Sequence, residues 1–189
     1  NFSIVTNWWN SINTARHITI GIAAYKVGDA AQGAFNTNTS EISQQINLVR
    51  GTTNLKGVAY YNTTTLNANT FNFRTNLIAN QYSTLALVPS MSWIDNTAPA
   101  EPTDLATSLQ SGKTKLTWTA PTATTDELQK VVRYAVYRST SATIDYNNSA
   151  NLIAVVPSTD LSYTDNTVTP GVGTSYYYAV TSLDRISNE

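Results

Sequence analysis

Hydrophobic residues in the first half of the chain recur at two different periods. Over residues 1–15 they return every three or four positions, which predicts an amphipathic helix; they are Phe2, Val5, Trp8, Trp9, Ile12 and Ala15. The run "ITIGIAA" that starts at Ile18 is instead continuously apolar and β-branched at its beginning. Such a run is typical of a buried strand of a parallel sheet, so we expect a strand after the helix.

A second helix and a second strand follow a loop over residues 28–39. Ser40 can cap this helix, and Glu41 lies in its first turn, where a negative charge favours the helix dipole. The pattern predicts a second strand over residues 55–62 and a further helix over residues 71–82. Strands that alternate with helices pair in parallel through right-handed crossovers, so the first half is predicted to be α/β.

The second half alternates with period two and predicts strands only. The alternation is found in four segments: "KLTWTA" around Trp118, "YAVYRS" around Tyr137, "NLIAVV" around Ile153 and "SYYYAVTSL" around Tyr178. Short strands at such intervals favour an antiparallel sandwich. The change of pattern falls in "NTAPAEPTDL", where Pro99 and Pro102 indicate a linker. We therefore predict two domains, 1–97 and 98–189.

Composition narrows the classes of function. Charged residues make up 12% of the chain and the net charge is -1, so a nucleic-acid-binding surface is not expected. There is no cysteine and one histidine, His17, which excludes thiolate and multi-histidine metal sites. No apolar run is long enough for a membrane span, and no cofactor is predicted. The polar, cysteine-free composition favours a bacterial protein that is secreted, periplasmic or on the cell surface. Because the chain starts at Asn1 without an initiator methionine, we expect a piece of a longer protein.

The second half resembles a fibronectin type III domain. The resemblance rests on the Pro-rich start, Trp118 in the second strand, "YAVYRS" as the third and "TSYYYAVTSLDRISNE" as the sixth, with Tyr176 at the family's tyrosine corner. It implies a sandwich with Trp118 in its core, facing Tyr137 or Tyr178. The chain stops at Glu189, where a seventh strand would begin, so we expect that strand to be missing or truncated.

The first half is similar to the end of a glycosyl hydrolase-like family 10 barrel, from a family of bacterial proteins classed with the glycoside hydrolases. The matching segments are "NWWN", "IGIAAYKVG", "SEISQQINLVR", "KGVAYYNTTTL" and "ALVPSMSWID". The resemblance implies that the two strands are the seventh and eighth of a (β/α)8 TIM-type barrel. The expected fold is thus an α/β fragment, the last two βα units of such a barrel, followed by an all-β fibronectin type III sandwich.

The candidate substrate-binding residues are Tyr25, Lys26, Tyr61 and Asn62. They lie at the carboxyl ends of the two predicted strands, where barrel enzymes hold their active sites. Tyrosine rings can stack on sugar faces, and lysine and asparagine can hydrogen-bond sugar hydroxyls. Either tyrosine could instead pack against a neighbouring helix.

No catalytic residue is predicted within the chain. Glycosidases use a pair of carboxyl groups, and the first half holds only Asp29, Glu41 and Asp95. Asp29 could approach a barrel mouth, but it stands beside Gly28 like a turn residue. Glu41 opens a helix and Asp95 lies at the exit to the linker, so we expect the catalytic acids upstream.

The sequence favours the C-terminal portion of a glycoside hydrolase that acts on peptidoglycan or another polysaccharide, with an accessory second domain. The alternative is a non-catalytic carbohydrate- or protein-binding or structural module. The open strand edges and apolar faces of the first half also predict self-association.

Overall fold

The computed structural model describes residues 1–12, 15–37, 40–171 and 173–189, without the side chains of residues 36 and 37. Contacts between residues divide the chain into two compact units, Asn1–Ser83 and Thr84–Glu189. The two units are described separately below.

The first unit combines one pair of strands with several helices. Its helices are α1 (Phe2–Ser11), α2 (Ala34–Thr37), α3 (Ser40–Arg50), α4 (Thr63–Ala68) and α5 (Phe73–Ala79), its strands are β1 (Ile18–Ile22) and β2 (Leu55–Tyr60), and its 3₁₀ turns are Ala24–Lys26, Ala30–Gln32 and Thr70–Asn72. The two strands pair in parallel, with Ile20 opposite Val58 and Ile22 opposite Tyr60. Their carboxyl ends therefore lie at the same edge of the sheet.

The core of the first unit lies between β1 and the helices. Ile22 packs with Ile46 of α3 and with Phe73 of α5, and all three side chains are almost completely buried. Ile20 packs with Val49 of α3 in a neighbouring cluster. Helix α3 buries the side chains at its three- and four-residue spacing, as its pattern predicts; they are Ile42, Gln45, Ile46 and Val49.

The second unit consists of two three-stranded antiparallel sheets, ordered β3-β4-β7 and β6-β5-β8. Their strands are β3 (Thr103–Gln110), β4 (Lys113–Thr119), β5 (Arg133–Ser139), β6 (Leu152–Pro157), β7 (Ser162–Asp165) and β8 (Tyr177–Leu183). One core is shared by the two sheets and contains Trp118 of β4 and Tyr134 of β5. The side chains on the other face of β5 are buried too, among them Tyr137, because Leu87 and Ile144 pack against their cluster.

The last residues of the predicted first domain, 84–97, belong to the second compact unit. Leu87 packs against the buried cluster that contains Tyr137. The Met91 N–H donates to the Ile186 carbonyl at 3.0 Å, and the Asn188 amide donates to the Asp95 carbonyl at 3.2 Å. The contacts thus place residues 84–97 with the residues that follow them.

The predicted fold class is wrong. Of the strands in the described residues, six lie in antiparallel sheets and only β1 and β2 are parallel, so the chain is mostly β with few helices and is not a fragment of a TIM-type barrel. The two paired strands do not close a barrel, and Thr19 and Gly21 of β1, which a closed barrel would cover with side chains of its other strands, are exposed. The fibronectin type III sandwich is not confirmed either; the second unit consists of two three-stranded antiparallel sheets.

Individual elements agree better with their predictions than the fold class does. The first helix was expected over residues 1–15 and ends at Ser11, because Ile12 is extended; Asn13 and Thr14 lie outside the described residues. The predicted loop over residues 28–39 contains a 3₁₀ turn and α2, and its residues 38 and 39 lie outside the described part. The helix expected over residues 71–82 begins only at Phe73, since Phe71 and Asn72 have positive φ angles.

Candidate functional site

The backbone continues the pairing of β1 and β2 beyond the ends of both strands. The Tyr61 N–H donates to the Ile22 carbonyl at 2.9 Å, and the Tyr25 N–H donates to the Tyr61 carbonyl at 2.9 Å. These two hydrogen bonds hold the 3₁₀ turn Ala24–Lys26 against the residues that follow β2. The backbone of both tyrosines is therefore fixed at one edge of the sheet, independently of the conformation of their side chains.

The rings of Tyr25 and Tyr61 form an exposed pair at this edge. Their centroids are 5.9 Å apart and their planes meet at 85°, the edge-to-face arrangement that aromatic quadrupoles favour. Tyr25 is 46% exposed and Tyr61 is 69% exposed. Solvent thus reaches much of both rings, and the pair presents an apolar surface bordered by two phenol groups.

The other two predicted site residues flank this pair. The Lys26 ammonium lies 5.5 Å from the centre of the Phe35 ring, within the range of a cation–π contact. Asn62 is the N-cap of α4, and its side-chain oxygen accepts from the Thr65 N–H at 3.4 Å. The asparagine oxygen is thereby directed to the helix, which leaves the amide NH₂ as the group that could donate to a ligand.

The carboxylates of the first half have structural partners. Asp29 caps the turn Ala30–Gln32 and accepts from the Ala31 N–H at 2.9 Å. Glu41 accepts from the Gln45 amide at 3.0 Å within α3. Asp95 accepts from the Thr97 hydroxyl at 3.0 Å. Each of these carboxylates stabilises local structure, and nothing in their contacts pairs two of them for acid–base chemistry.

A cavity that the sequence analysis did not predict lies between α1, β1 and α3. Its volume is about 830 Å³, within the range of small-molecule sites. Its wall is mainly apolar, with Lys26, Glu41 and Gln45 among its polar residues. Thr6 also lines it; this side chain is 1% exposed, and its hydroxyl has no hydrogen-bond partner within the described residues.

The second unit contains a buried polar cluster around Asp165. This carboxylate accepts from the Arg138 guanidinium at 2.7 Å, from the Tyr178 hydroxyl at 3.0 Å and from the Thr167 hydroxyl at 2.6 Å. Burial, and then the hydrogen bond to Asp165, raise the pKa of Tyr178 to about 12. Arg138 also lies 5.1 Å from the centre of the Tyr176 ring. Because each polar group has a partner, the cluster has the character of a structural network.

Neither a metal site nor a membrane span is found in the described residues. No group of three or more histidine, aspartate or glutamate side chains is placed there to bind a metal ion. None of the helices that the structure describes has both the length and the apolar character needed to cross a membrane.

Two curated proteins are similar to the chain in sequence. Glycosyl hydrolase YngK of Bacillus subtilis (strain 168) is 30% identical over 192 residues, which cover 100% of this chain and 36% of that protein. The amylopullulanase of Thermoanaerobacter thermohydrosulfuricus is 37% identical over 93 residues, which cover 49% of this chain and 5% of that protein. The chain thus spans about a third of the length of the first relative and a small part of the second, and both names support a relationship to glycoside hydrolases.

The other comparisons do not refine this relationship. No protein-family profile matches the chain. Pectate lyase PelI of Erwinia chrysanthemi is 27% identical and covers 46% of this chain and 24% of its own, but its TM-score of 0.32 is too low to support any argument about fold. The finer resemblance to glycosyl hydrolase-like family 10 and to fibronectin type III domains is not confirmed.

Proposed function

We propose that the chain is part of a larger bacterial glycoside hydrolase and that its first unit binds the glycan substrate. The relationship to a glycosyl hydrolase and to an amylopullulanase supports the general class of activity. Peptidoglycan and other polysaccharides are the substrates that this proposal includes. A secreted, periplasmic or cell-surface location belongs to the same proposal and rests on the polar, weakly charged, cysteine-free composition.

The observation that carries the proposal is the exposed pair of Tyr25 and Tyr61. The backbone of both tyrosines is fixed by main-chain hydrogen bonds, so their exposed rings give an apolar surface that loses little backbone entropy on binding. The C–H faces of a sugar ring can stack on such a surface. The phenol groups, the Lys26 ammonium and the Asn62 amide can then hydrogen-bond the hydroxyls around the sugar.

Under this proposal, another part of the larger protein hydrolyses the glycosidic bond. Hydrolysis needs one carboxyl group to protonate the leaving oxygen and a second to act as nucleophile or base. Asp29 and Glu41 are engaged as a turn cap and in a helix contact. The proposal therefore gives this chain a binding role and expects no turnover from it.

The test is binding and turnover of defined glycans by the purified chain. Isothermal titration calorimetry with soluble peptidoglycan strands and with pullulan should detect binding to at least one of them. A reducing-end assay on the same mixtures should show no new ends. Failure to bind any glycan would overturn the proposal. Turnover that Asp29→Asn abolishes would show that this chain itself hydrolyses the glycan, and would overturn the binding role without catalysis.

A second candidate function is a non-catalytic carbohydrate- or protein-binding or structural module centred on the second unit. The observation that favours it is the exposure of Tyr146 at 50% and Tyr177 at 44%. Glycan binding that survives loss of Tyr25 and Tyr61 and disappears with Tyr177→Ala would support this alternative.

A further inference from the structure

A polar pocket lies in the second unit, beside the end of β5. Its volume is about 420 Å³, within the range of about 300–1,000 Å³ that is usual for small-molecule sites. Its wall comes from residues 138–151 and from Tyr176, which precedes β8, so it is built from the interior of the sequence. Apart from Ala150, every residue of this wall carries a hydroxyl, amide or charged group. The pocket is therefore suited to a hydrated polar ligand.

The segment that forms most of this pocket is held in place by its own hydrogen bonds. The Asn151 side-chain amide donates to the Asp145 carbonyl at 2.9 Å, and the Asn151 N–H donates to the Asn148 carbonyl at 2.9 Å. The Arg138 N–H donates to the Asn151 carbonyl at 2.8 Å, which ties the segment to β5. A ligand would therefore bind without first ordering this backbone, which lowers the entropic cost of binding.

An acceptor and a donor in this wall have no partner within the described residues. Asp145 uses Oδ1 to accept from the Asn147 N–H at 2.9 Å, and its Oδ2 makes no hydrogen bond there. Asn148 uses Oδ1 to accept from the Ala150 N–H at 3.1 Å, which leaves its Nδ2 group free to donate. Both side chains belong to exposed residues that line the pocket. A ligand can thus reach a hydrogen-bond acceptor and a donor whose positions are fixed by the segment itself.

The charges around the pocket favour a neutral ligand. Arg138 lines the pocket, but its guanidinium already donates to the buried Asp165 carboxylate at 2.7 Å, which weakens its attraction for an anion. A metal cation would meet this guanidinium, and the described residues place no group of three acidic or histidine side chains to bind one. A protein partner would need apolar or aromatic anchors, and Tyr176 is the aromatic residue in the wall. Hydroxyl groups, which both donate and accept, match the wall best.

We propose that this pocket binds a neutral sugar residue of a glycan. The Asp145 carboxylate accepts from one sugar hydroxyl, and the Asn148 amide donates to a neighbouring hydroxyl. The partly exposed Tyr176 ring contacts the C–H groups of the sugar. This site belongs to the second unit and is separate from the pair of Tyr25 and Tyr61 in the first, so it does not depend on glycan binding by that pair.

The test is a titration of the isotope-labelled 189-residue chain with neutral oligosaccharides, followed by NMR. The probes are maltotriose and triacetylchitotriose. Backbone amides of residues 139–151 and of Tyr176 should shift with at least one of them. The dissociation constant should be about 1 mM, because a hydrated polar site gains little free energy from burial. Shifts at Tyr25 and Tyr61 are measured in the same spectra and report separately on the proposed function of the first unit.

A conservative variant tests the donor without removing the loop contact. Asn148→Asp keeps an oxygen that accepts from the Ala150 N–H and removes the free NH₂ group. It should raise the dissociation constant at this pocket about tenfold. The matched control is Asn147→Asp, the same change at an exposed neighbour that does not line the pocket, and it should have little effect. The spectra show whether each variant is folded; if Asn148→Asp is not, Asp145→Asn replaces it and should weaken binding similarly.

Three results would overturn the proposal. The first is the absence of shifts at residues 139–151 with either oligosaccharide at about twenty times the expected dissociation constant. The second is equal weakening by Asn148→Asp and Asn147→Asp. The third is a response of the same amides to calcium chloride or sodium sulfate and not to the oligosaccharides, which would assign the pocket to an ion.

Discussion

The Arg138 guanidinium donates a 2.7 Å hydrogen bond to Asp165, a carboxylate with no exposure to solvent. Arg138 belongs to β5 and Asp165 ends β7, so the contact joins the two sheets of the second unit. Tyr178 of β8 donates to the same carboxylate oxygen. A buried charge is tolerated only when such partners replace water, and each partner is therefore needed for the stability of the unit.

Replacing Arg138 should destabilise the second unit strongly. Arg138→Ala leaves the Asp165 carboxylate buried without its cation, and the loss of one partner of a buried pair costs about 3–5 kcal/mol. The free energy of unfolding, measured by urea titration, should fall by this order. Lys130→Ala removes the exposed ion pair with Glu127 and should change it by less than about 1 kcal/mol. Equal changes in the free energy of unfolding for the two substitutions would show that the buried pair contributes no more to stability than the exposed one.

Asp165 should also give the second unit a distinct sensitivity to acid. Burial by itself raises the pKa of this carboxyl, but hydrogen bonds from Thr167, Arg138 and Tyr178 outweigh burial and lower it. A pKa that is lower in the folded state stabilises the fold above the unfolded value of about 3.9, and this contribution is lost as the pH falls through the folded pKa.

The free energy of unfolding should therefore decrease below about pH 4 more steeply in the unmodified chain than in Asp165→Asn. Urea titrations between neutral pH and about pH 2 measure both slopes. Parallel slopes would mean that Asp165 titrates alike in the folded and unfolded chain.

Trp118 should be essential to the core of the second unit. It is 5% exposed, and its ring meets Tyr134 edge-to-face at 5.5 Å. Tyr178 packs against the same cluster, whereas Tyr137, the other partner expected from sequence, lies in a different one. Truncation to alanine typically costs about 3–5 kcal/mol, so Trp118→Ala should unfold this unit, or nearly so, at ordinary temperature.

A conservative variant separates packing from hydrogen bonding at this position. The Trp118 indole N–H is buried and has no hydrogen-bond partner among the described residues. Trp118→Phe removes that group and keeps an aromatic ring, so it should cost clearly less than Trp118→Ala, because the cavity that it leaves is smaller. Thermal unfolding followed by circular dichroism compares the two variants. An unchanged transition in Trp118→Ala would contradict the burial of the ring.

Loss of the Tyr61 ring should weaken glycan binding without weakening the fold. Tyr61→Ala removes a side chain that is 69% exposed, so the melting temperature should stay within a degree or two of the unmodified chain. The dissociation constant for a bound glycan should rise about tenfold, which corresponds to about 1.4 kcal/mol. The control is Tyr177→Ala, a substitution of a partly exposed tyrosine in the second unit. If only the control weakened binding, the glycan site would lie in the second unit.

Local periodicity predicted the main elements, but it could not predict how they assemble. The alternation around Trp118 and Tyr137 places these residues on strands, and the three- and four-residue spacing of Ile42 and Ile46 places them on one buried face of α3. The number of strands in a sheet depends on contacts between distant residues, which periodicity does not contain. The barrel was implied by the resemblance of five short segments to a family, and the paired strands β1 and β2 do not form one.

The candidate site was predicted in part for a simple topological reason. Parallel strands end at one edge, so the residues after β1 and β2 must be neighbours, as Tyr25 and Tyr61 are. The use of the Asn62 oxygen as a helix cap could not be predicted, because α4 itself was not predicted. The apolar spacing in α1 indicated a buried face, yet Trp8 and Trp9 are exposed. A pattern of apolar residues shows that a surface is suited to burial and does not show which partner covers it.

The attachment of residues 84–97 to the second unit determines where this protein can be cut or recombined. A piece that begins at residue 98, where the second predicted domain starts, would lose Leu87 from a hydrophobic cluster and the backbone acceptors of Asn188. A piece that begins at Thr84 would keep both. The segment that can be moved as one folded piece is therefore longer than the two sheets. Gene fusions or proteolytic fragments that start at Thr84 should be more stable than those that start near Pro99 and Pro102.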